Sequence, residues 1–253
     1  GAVSFTGSAA VGHTIARAAA PTKVLLELGS NAALVVAADA DVAAAADAVV
    51  RGGYYASGQA CISVQRVLVE APVAEEFLGL LADRVAAIPV GDPRDETTRV
   101  AALIDARSTG RVRGWIAEAV AAGAKVVAGG GDDGPALRPT VLTGVPDGLP
   151  AWDEEIFGPV VCVRTVPDVD TALDLVNRSR YGLHASVYTR SLATAFAAVE
   201  RLQVGGVVVN EVPGFRADNM PYGGVKDSGV GREGPRFAVE ELTVTRMAII
   251  RPM

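Results

Sequence analysis

The stretch YYASGQACISVQR, residues 54–66, joins an Ala-rich segment to an apolar one. Cys61 stands at its centre and is one of only 2 cysteines in 253 residues. Ala56, Ser57, Gly58 and Ala60 around it are small, which leaves room for a ligand to approach the sulfur. Residues 41–56 predict a helix that Gly58 ends, since glycine is the least strained residue beyond a helix C-terminus. Residues 66–69 predict an apolar strand. Cys61 is therefore expected on a tight turn, where a thiol becomes reactive if its pKa is lowered. The plain alternative is a small buried hydrophobe, the usual fate of a lone cysteine. Glu27, in LLELG, shifts that balance. A carboxylate inside an apolar strand is costly unless it is used or paired. Together the two residues point to a thiol nucleophile and a carboxylate base.

Outward from this stretch, strands and helices alternate. Residues 2–5 predict a short buried strand, and residues 9–20 a helix that Pro21 stops. The turn between them, Thr6-Gly7-Ser8, has the outline of a phosphate cradle. Its glycines, Gly7 and Gly12, fall short of the full dinucleotide fingerprint, so an ordinary turn is the simpler reading. Residues 23–28 predict a strand with Glu27 near its tip, the end of a strand where ligands of open α/β sheets gather. Further strands are predicted over 34–37, 125–127, 139–142, 160–166, 184–188 and 206–209. Helices are predicted over 72–87, 108–122, 170–177 and 191–202. This order predicts an α/β sandwich with a largely parallel sheet. Residues 220–234, MPYGGVKDSGVGREG, predict a tightly turned loop near a site. Residues 242–251, LTVTRMAIIR, predict a terminal strand that invites pairing with another chain.

Composition narrows the function. The formal net charge of -6 argues against a nucleic-acid or anionic-membrane surface. The most apolar long run, residues 35–50, is interrupted by Asp39, Asp41 and Asp47, so no membrane span is expected. The 2 cysteines form no disulfide framework, and a reducing cytoplasm is expected. No signal peptide is visible. The chain opens on Gly1 and runs directly into AVSF, as expected of a piece of a longer protein.

Other constellations fail. Nothing ties His13 or His184 to Cys61 or to a serine as a hydrolase triad would require. No cluster has metal-ligand spacing. Residues 129–134, GGGDDG, lack the lysine and serine of a P-loop and predict a flexible hairpin. Cys162, between Val161 and Val163, is expected in the core, and Lys226 and Arg232 as loop charges. Asp153, Glu154 and Glu155 taken alone read as a solvated acidic turn.

Seen together, these segments resemble the aldehyde dehydrogenase family. The matching motifs are FTGS (5–8), LELG (26–29), GQAC (58–61), EEIFGPV (154–160), NRSRYGLHASVYT (177–189), VVVN (207–210) and PYGGVKDSGVGREG (221–234). The resemblance implies a three-layer αβα catalytic domain over residues 30–224. It further implies a remnant of a Rossmann-like cofactor domain over 1–29, and a return loop with an oligomerisation strand over 225–253. It implies Cys61 as the nucleophile and Glu27 as the base that activates the hydrolytic water. Glu155 and Phe157 match residues that hold the ribose and ring of NAD or NADP. Gly7 and Ser8 match the turn that meets the pyrophosphate, and Leu28 and Gly29 line the nicotinamide side. Asn210 and Tyr222 fall in the loops around the substrate funnel; Arg216, in GFRADNMP, is a candidate to meet an anionic group at the funnel mouth, the plain alternative being a solvated loop charge.

The implied reaction is oxidation of a small aldehyde to a carboxylic acid, in a homodimer or homotetramer. Family members carry roughly two hundred more residues ahead of the FTGS strand, by the usual size of a two-domain chain. That front part holds most of the cofactor sheet and an asparagine that helps hold the oxyanion. The chain alone is therefore expected to be inactive as a dehydrogenase. The alternatives are a cofactor-independent esterase or acyl transferase through Cys61, and a non-catalytic assembly partner. Ser30 also replaces a common glycine, a small change with little expected consequence.

Overall fold

The computed structural model describes all of residues 1–253. The chain opens with β1 (Ala2–Thr6), α1 (Ala9–Ala19), β2 (Lys23–Glu27), β3 (Ala32–Val36) and α2 (Val42–Tyr54). A short 3₁₀ turn, Tyr55–Gly58, leads to β4 (Val64–Glu70), α3 (Ala71–Ala86), α4 (Ala106–Ala121) and β5 (Lys125–Ala128). The hairpin β6 (Asp132–Asp133) and β7 (Ala136–Leu137) follows, then β8 (Thr140–Thr143), the single turn α5 (Pro150–Asp153) and β9 (Val160–Val166). Next come α6 (Val169–Asn177), β10 (Tyr181–Gly182), β11 (His184–Tyr188), α7 (Leu192–Arg201) and β12 (Gly206–Val209). The last elements are β13 (Val225–Lys226), β14 (Gly229–Val230) and α8 (Pro235–Leu242).

The helices start where the sequence supplies an oxygen. Asp41, Asp105, Asp168 and Ser191 each accept the N–H three residues ahead, at 2.6–3.2 Å. The central sheet has seven strands in the order β12-β11-β3-β4-β9-β8-β5, parallel except where β5 meets β8. Its alternate residues face two helical layers. Leu34 and Val36 pack with Val42, Val49, Phe77 and Leu81 of α2 and α3. Ala33 and Val35 pack on the other side with Leu173, Val176 and Ala198 of α6 and α7. Strands covered on both faces read as continuous apolar runs, and β3 is buried at every residue. The expected three-layer α/β fold with a largely parallel sheet is present.

A second sheet, in the order β1-β2-β14, carries Glu27. β2 runs parallel to β1 and antiparallel to β14, whose Gly229 sits opposite Glu27. The glycine-rich return loop is thereby fastened to the strand that bears the carboxylate, although about two hundred residues lie between them.

Two local readings change. β1 is not a buried strand: its residues alternate between exposed and half-buried. Gly58 does not end α2, because the helix stops at Tyr54 and the chain reverses over Ala56, Ser57 and Gly58. Ahead of the tail, Leu242 closes the unforeseen helix α8, and residues 243–253 form no ladder within the single chain. A strand needs a partner edge, and β-branched composition alone does not supply one.

Candidate active site

The turn that carries Cys61 is built from left-handed backbone. Ala56, Ser57 and Gly58 have φ of 48°, 59° and 74°. This is strained for Ala and Ser, and the surroundings hold it. The Ser57 hydroxyl donates to the Ala101 carbonyl (3.2 Å) and accepts the Ala101 N–H (3.0 Å). Gln59 Oε1 accepts the Ile104 N–H at 2.9 Å. Gly58 rests on the loop ahead of β9, where a Cβ would lie 2.0 Å from the Gly158 carbonyl oxygen. Gly58→Ala is expected to cost about 3 kcal/mol through that contact and the positive φ. Urea titration of the variant checks it, and a loss below about 1 kcal/mol would show that the loop gives way.

Cys61 is half-buried, with Sγ 3.5 Å from the Tyr222 hydroxyl. Burial pushes its thiol up, the Tyr222 hydroxyl opposes this, and the Glu155 and Glu27 carboxylates add to it. Cys162 is the contrast. It is wholly buried in β9, donates to the Ala151 carbonyl (3.2 Å), and its thiol is pushed up to about 12. It is a core residue, as its apolar neighbours predicted.

Glu27 ends β2 only 6% exposed, and neither carboxylate oxygen has a hydrogen-bond partner. Its Oε1 lies against Gly223, where a Cβ would approach to 2.9 Å. Burial raises its pKa to about 7; Glu233 adds to the rise, while Arg232 and Arg216 oppose it. A buried, unpaired carboxyl that titrates near neutrality is suited to taking a proton.

Both groups open on one cleft of about 720 Å³. Gly7, Ser8, Leu28, Gly29, Glu155 and Phe157 line it as well. The structure thus brings together the residues expected to bind a cofactor with those expected to react. Glu155 Oε1 accepts the Ser30 N–H at 2.9 Å, and its Oε2 lies where a Cβ on Gly29 would be 2.7 Å away. Phe157 is held at φ 50° and is 36% exposed. Ser8 precedes α1 with no capping bond from its side chain.

The three residues expected at the substrate funnel separate. Tyr222 touches the sulfur, as above. The Arg216 guanidinium stands 4.6 Å over the Tyr222 ring and pairs with Glu233 at 2.8 Å. The Asn210 amide accepts the Thr189 N–H and donates to the Thr189 carbonyl, each at 2.9 Å, which ties β12 to β11. It adopts φ 57°, a conformation asparagine tolerates, and like Tyr222 and Arg216 it lies outside the lining of the 720 Å³ cleft.

Sequence reasoning missed several supporting residues. The Ser228 hydroxyl donates to the Gly29 carbonyl (2.7 Å) and accepts the Gly182 N–H (3.0 Å), pinning the return loop under the cleft. Gln65 clamps the acidic loop, donating to the Glu154 carbonyl and accepting the Ile156 N–H, each at 3.0 Å. Its polar side chain at the start of a buried strand, beside Arg66, was the available signal. Arg111 and Arg180 line the cleft. Arg180 is engaged by Glu154 (2.8 Å) and Asp227 (3.2 Å). Arg111 stacks on Trp115, 4.7 Å from the ring centroid. Lys226 and Arg232 hold backbone carbonyls, as loop charges would.

The model of the aldehyde dehydrogenase family matches residues 1–248. The chain belongs to the aldehyde dehydrogenase family. A 3-sulfolactaldehyde dehydrogenase of Priestia megaterium is 41% identical over 247 residues, which cover 98% of this chain and 52% of that protein. A lactaldehyde dehydrogenase of Methanococcus aeolicus is 39% identical over 248 residues, covering 98% and 53%. Among aldehyde dehydrogenase structures, the glyceraldehyde-3-phosphate dehydrogenase GapN of Methanocaldococcus jannaschii, complexed with NADP, superposes with a TM-score of 0.92 at 36% identity. That match covers 95% of this chain and 52% of the other. The chain therefore spans about half the length of the family members it matches.

Proposed function

We propose that these residues form the catalytic part of an NAD(P)-dependent aldehyde dehydrogenase that releases a free carboxylic acid. One observation carries this reading: a half-buried thiol and a buried, unpartnered carboxyl with a pKa of about 7 open on the same cleft. The other lining residues fit NAD or NADP. The opening turn of α1, beside Gly7 and Ser8, has N–H groups without helical partners and suits a pyrophosphate. The Glu155 carboxylate suits ribose hydroxyls, and Leu28 and Phe157 suit a planar ring. A nicotinamide bound there would supply the hydride acceptor.

The chain's own groups do the rest. The Cys61 thiolate adds to the aldehyde carbon and forms a carbon–sulfur bond. The Cys61 backbone N–H faces the oxygen that gains charge. Once the adduct is oxidised to the acyl-sulfur stage, Glu27 takes a proton from water. The hydroxide adds to the acyl carbon, the carbon–sulfur bond breaks and the acid leaves.

The substrate is a small aldehyde, uncharged or singly charged. Ala60, immediately before the nucleophile, offers no charge to a phosphate. The similar proteins named for lactaldehyde and 3-sulfolactaldehyde agree in size. Reduced-nicotinamide formation with a panel of aldehydes tests this in a polypeptide of the relatives' length that carries these residues. Turnover of small aldehydes is expected. No oxidation of any aldehyde overturns the reaction, and strong preference for a phosphorylated one overturns the substrate class.

The tail is the expected pairing strand of a homodimer or homotetramer. Val244, Met247, Ile249 and Ile250 are 81–93% exposed in the single chain. Removing residues 243–253 is expected to lower the assembly state and the solubility. Light scattering checks this, and an unchanged mass would remove the tail from the interface. No helix is long and apolar enough to cross a membrane. Two free cysteines suit a reducing cytoplasm.

A further inference from the structure

We propose that the Tyr222 hydroxyl orients the Cys61 sulfur and stabilises its thiolate, held in place by a brace within the return loop. The proposal rests on Cys61 being the reactive thiol.

The hydroxyl lies 3.5 Å from Sγ, and the two residues are 161 apart in sequence. The ring is fixed from several sides. His184 meets it edge-on with centroids 5.0 Å apart. The Arg216 guanidinium covers it at 4.6 Å, and Glu233 holds Arg216 at 2.8 Å. The backbones of Tyr222 and Glu233 exchange hydrogen bonds of 3.1 and 2.6 Å. Tyr222, Arg216 and Glu233 thus form a closed brace that sets where the phenol oxygen points. That oxygen has the sulfur as its partner in the chain.

The sulfur needs such a donor. Cys61 faces the carboxylates of Glu155 and Glu27, and both disfavour a thiolate, as does burial. The Tyr222 hydroxyl and the Cys61 backbone N–H are what favour it. Tyr222 itself faces Cys61, Glu27, Glu233, His184 and Arg216. Burial and the neighbouring negative groups push its phenol well above the usual range, so it keeps its proton where the thiol loses one. The thiol proton goes to solvent, the phenol O–H then donates to sulfur, and no bond of Tyr222 breaks.

Iodoacetamide, a small neutral electrophile, tests this on the chain itself. The rate of alkylation at Cys61 is followed by mass spectrometry from pH 6 to 10. Tyr222→Phe keeps the ring and removes the hydroxyl. Alkylation near pH 7.5 is expected to fall about tenfold or more, as for loss of one hydrogen bond to the charged form, and the pH profile to move upward. Arg216→Ala, which loosens the brace, is expected to give a smaller shift in the same direction. Superimposable pH profiles for Tyr222→Phe and the unaltered chain overturn the proposal and leave the proposed function standing. A lowered melting temperature without a pH shift overturns it equally, since that is what a merely structural tyrosine would show. Absence of labelling at Cys61 in the unaltered, folded chain overturns both.

Discussion

Cys61→Ser is expected to lower aldehyde oxidation by on the order of 10⁴-fold or more, the scale of loss when a covalent nucleophile is removed. A serine hydroxyl at this position is a far weaker nucleophile than a thiolate, and no histidine stands ready to activate it as in a hydrolase triad. His184 is buried with Nδ1 against the Pro213 carbonyl at 3.0 Å, and burial holds its pKa below the usual value. His13 is engaged on the surface by Asp227 at 3.5 Å. Cys61 is half-buried and makes one side-chain contact through sulfur, so the substitution is expected to change stability little. Reduced-nicotinamide formation and a thermal melt, measured side by side, separate chemistry from folding. Activity within tenfold of the unaltered enzyme, with an unchanged melt, would exclude the covalent mechanism.

Glu27→Gln is expected to divide the reaction. Steady-state turnover falls by about 10²- to 10⁴-fold, the range for loss of a general base. A first burst of reduced nicotinamide persists, because Glu27 is needed only once the acyl group is on sulfur. In the unaltered enzyme, acyl-sulfur hydrolysis is expected to rise with pH and level off above about 7, where the carboxyl is ionised. The variant loses that inflection. Rapid-mixing kinetics over pH 5.5–9 checks both points, and loss of the burst would place Glu27 in the earlier step.

The same substitution has an expected effect on stability, with a defined sign. The carboxyl titrates at about 7 in the fold against 4.5 for the free group. The folded chain therefore keeps a proton that the unfolded chain releases between those values. Stability falls as pH rises through that window, and above pH 7 the fold bears the whole cost of an ionised, unpaired carboxylate. That cost is on the order of 3 kcal/mol. Glutamine removes it, so Glu27→Gln is expected to melt several degrees higher at pH 8 and to match the unaltered chain at pH 4. A variant less stable at pH 8 would mean that the carboxylate is paired after all.

Much of this architecture was legible in the sequence, because it is written in local terms. The periodicity of residues 42–54 and 160–166, and the oxygen-bearing residues ahead of the helices, each act within a few residues. The small residues around Cys61 likewise announced a tight turn, though its left-handed Ser57 is held by Ala101, 44 residues on. The motifs shared with the family pointed to Cys61, Glu27, Glu155 and Phe157 before any coordinates. Tertiary structure alone decided what those groups are like chemically. The pKa of Glu27 depends on burial and on Glu233, more than two hundred residues along the chain. The sulfur meets Tyr222 across 161 residues, and Ser228 holds Gly29 across 199. The Asn210 amide meets Thr189 because β11 and β12 run side by side in register. Periodicity reports which face of an element is buried, but it carries no term for which distant side chain will stand opposite, and charge, desolvation and hydrogen bonding at a site are set by that neighbour.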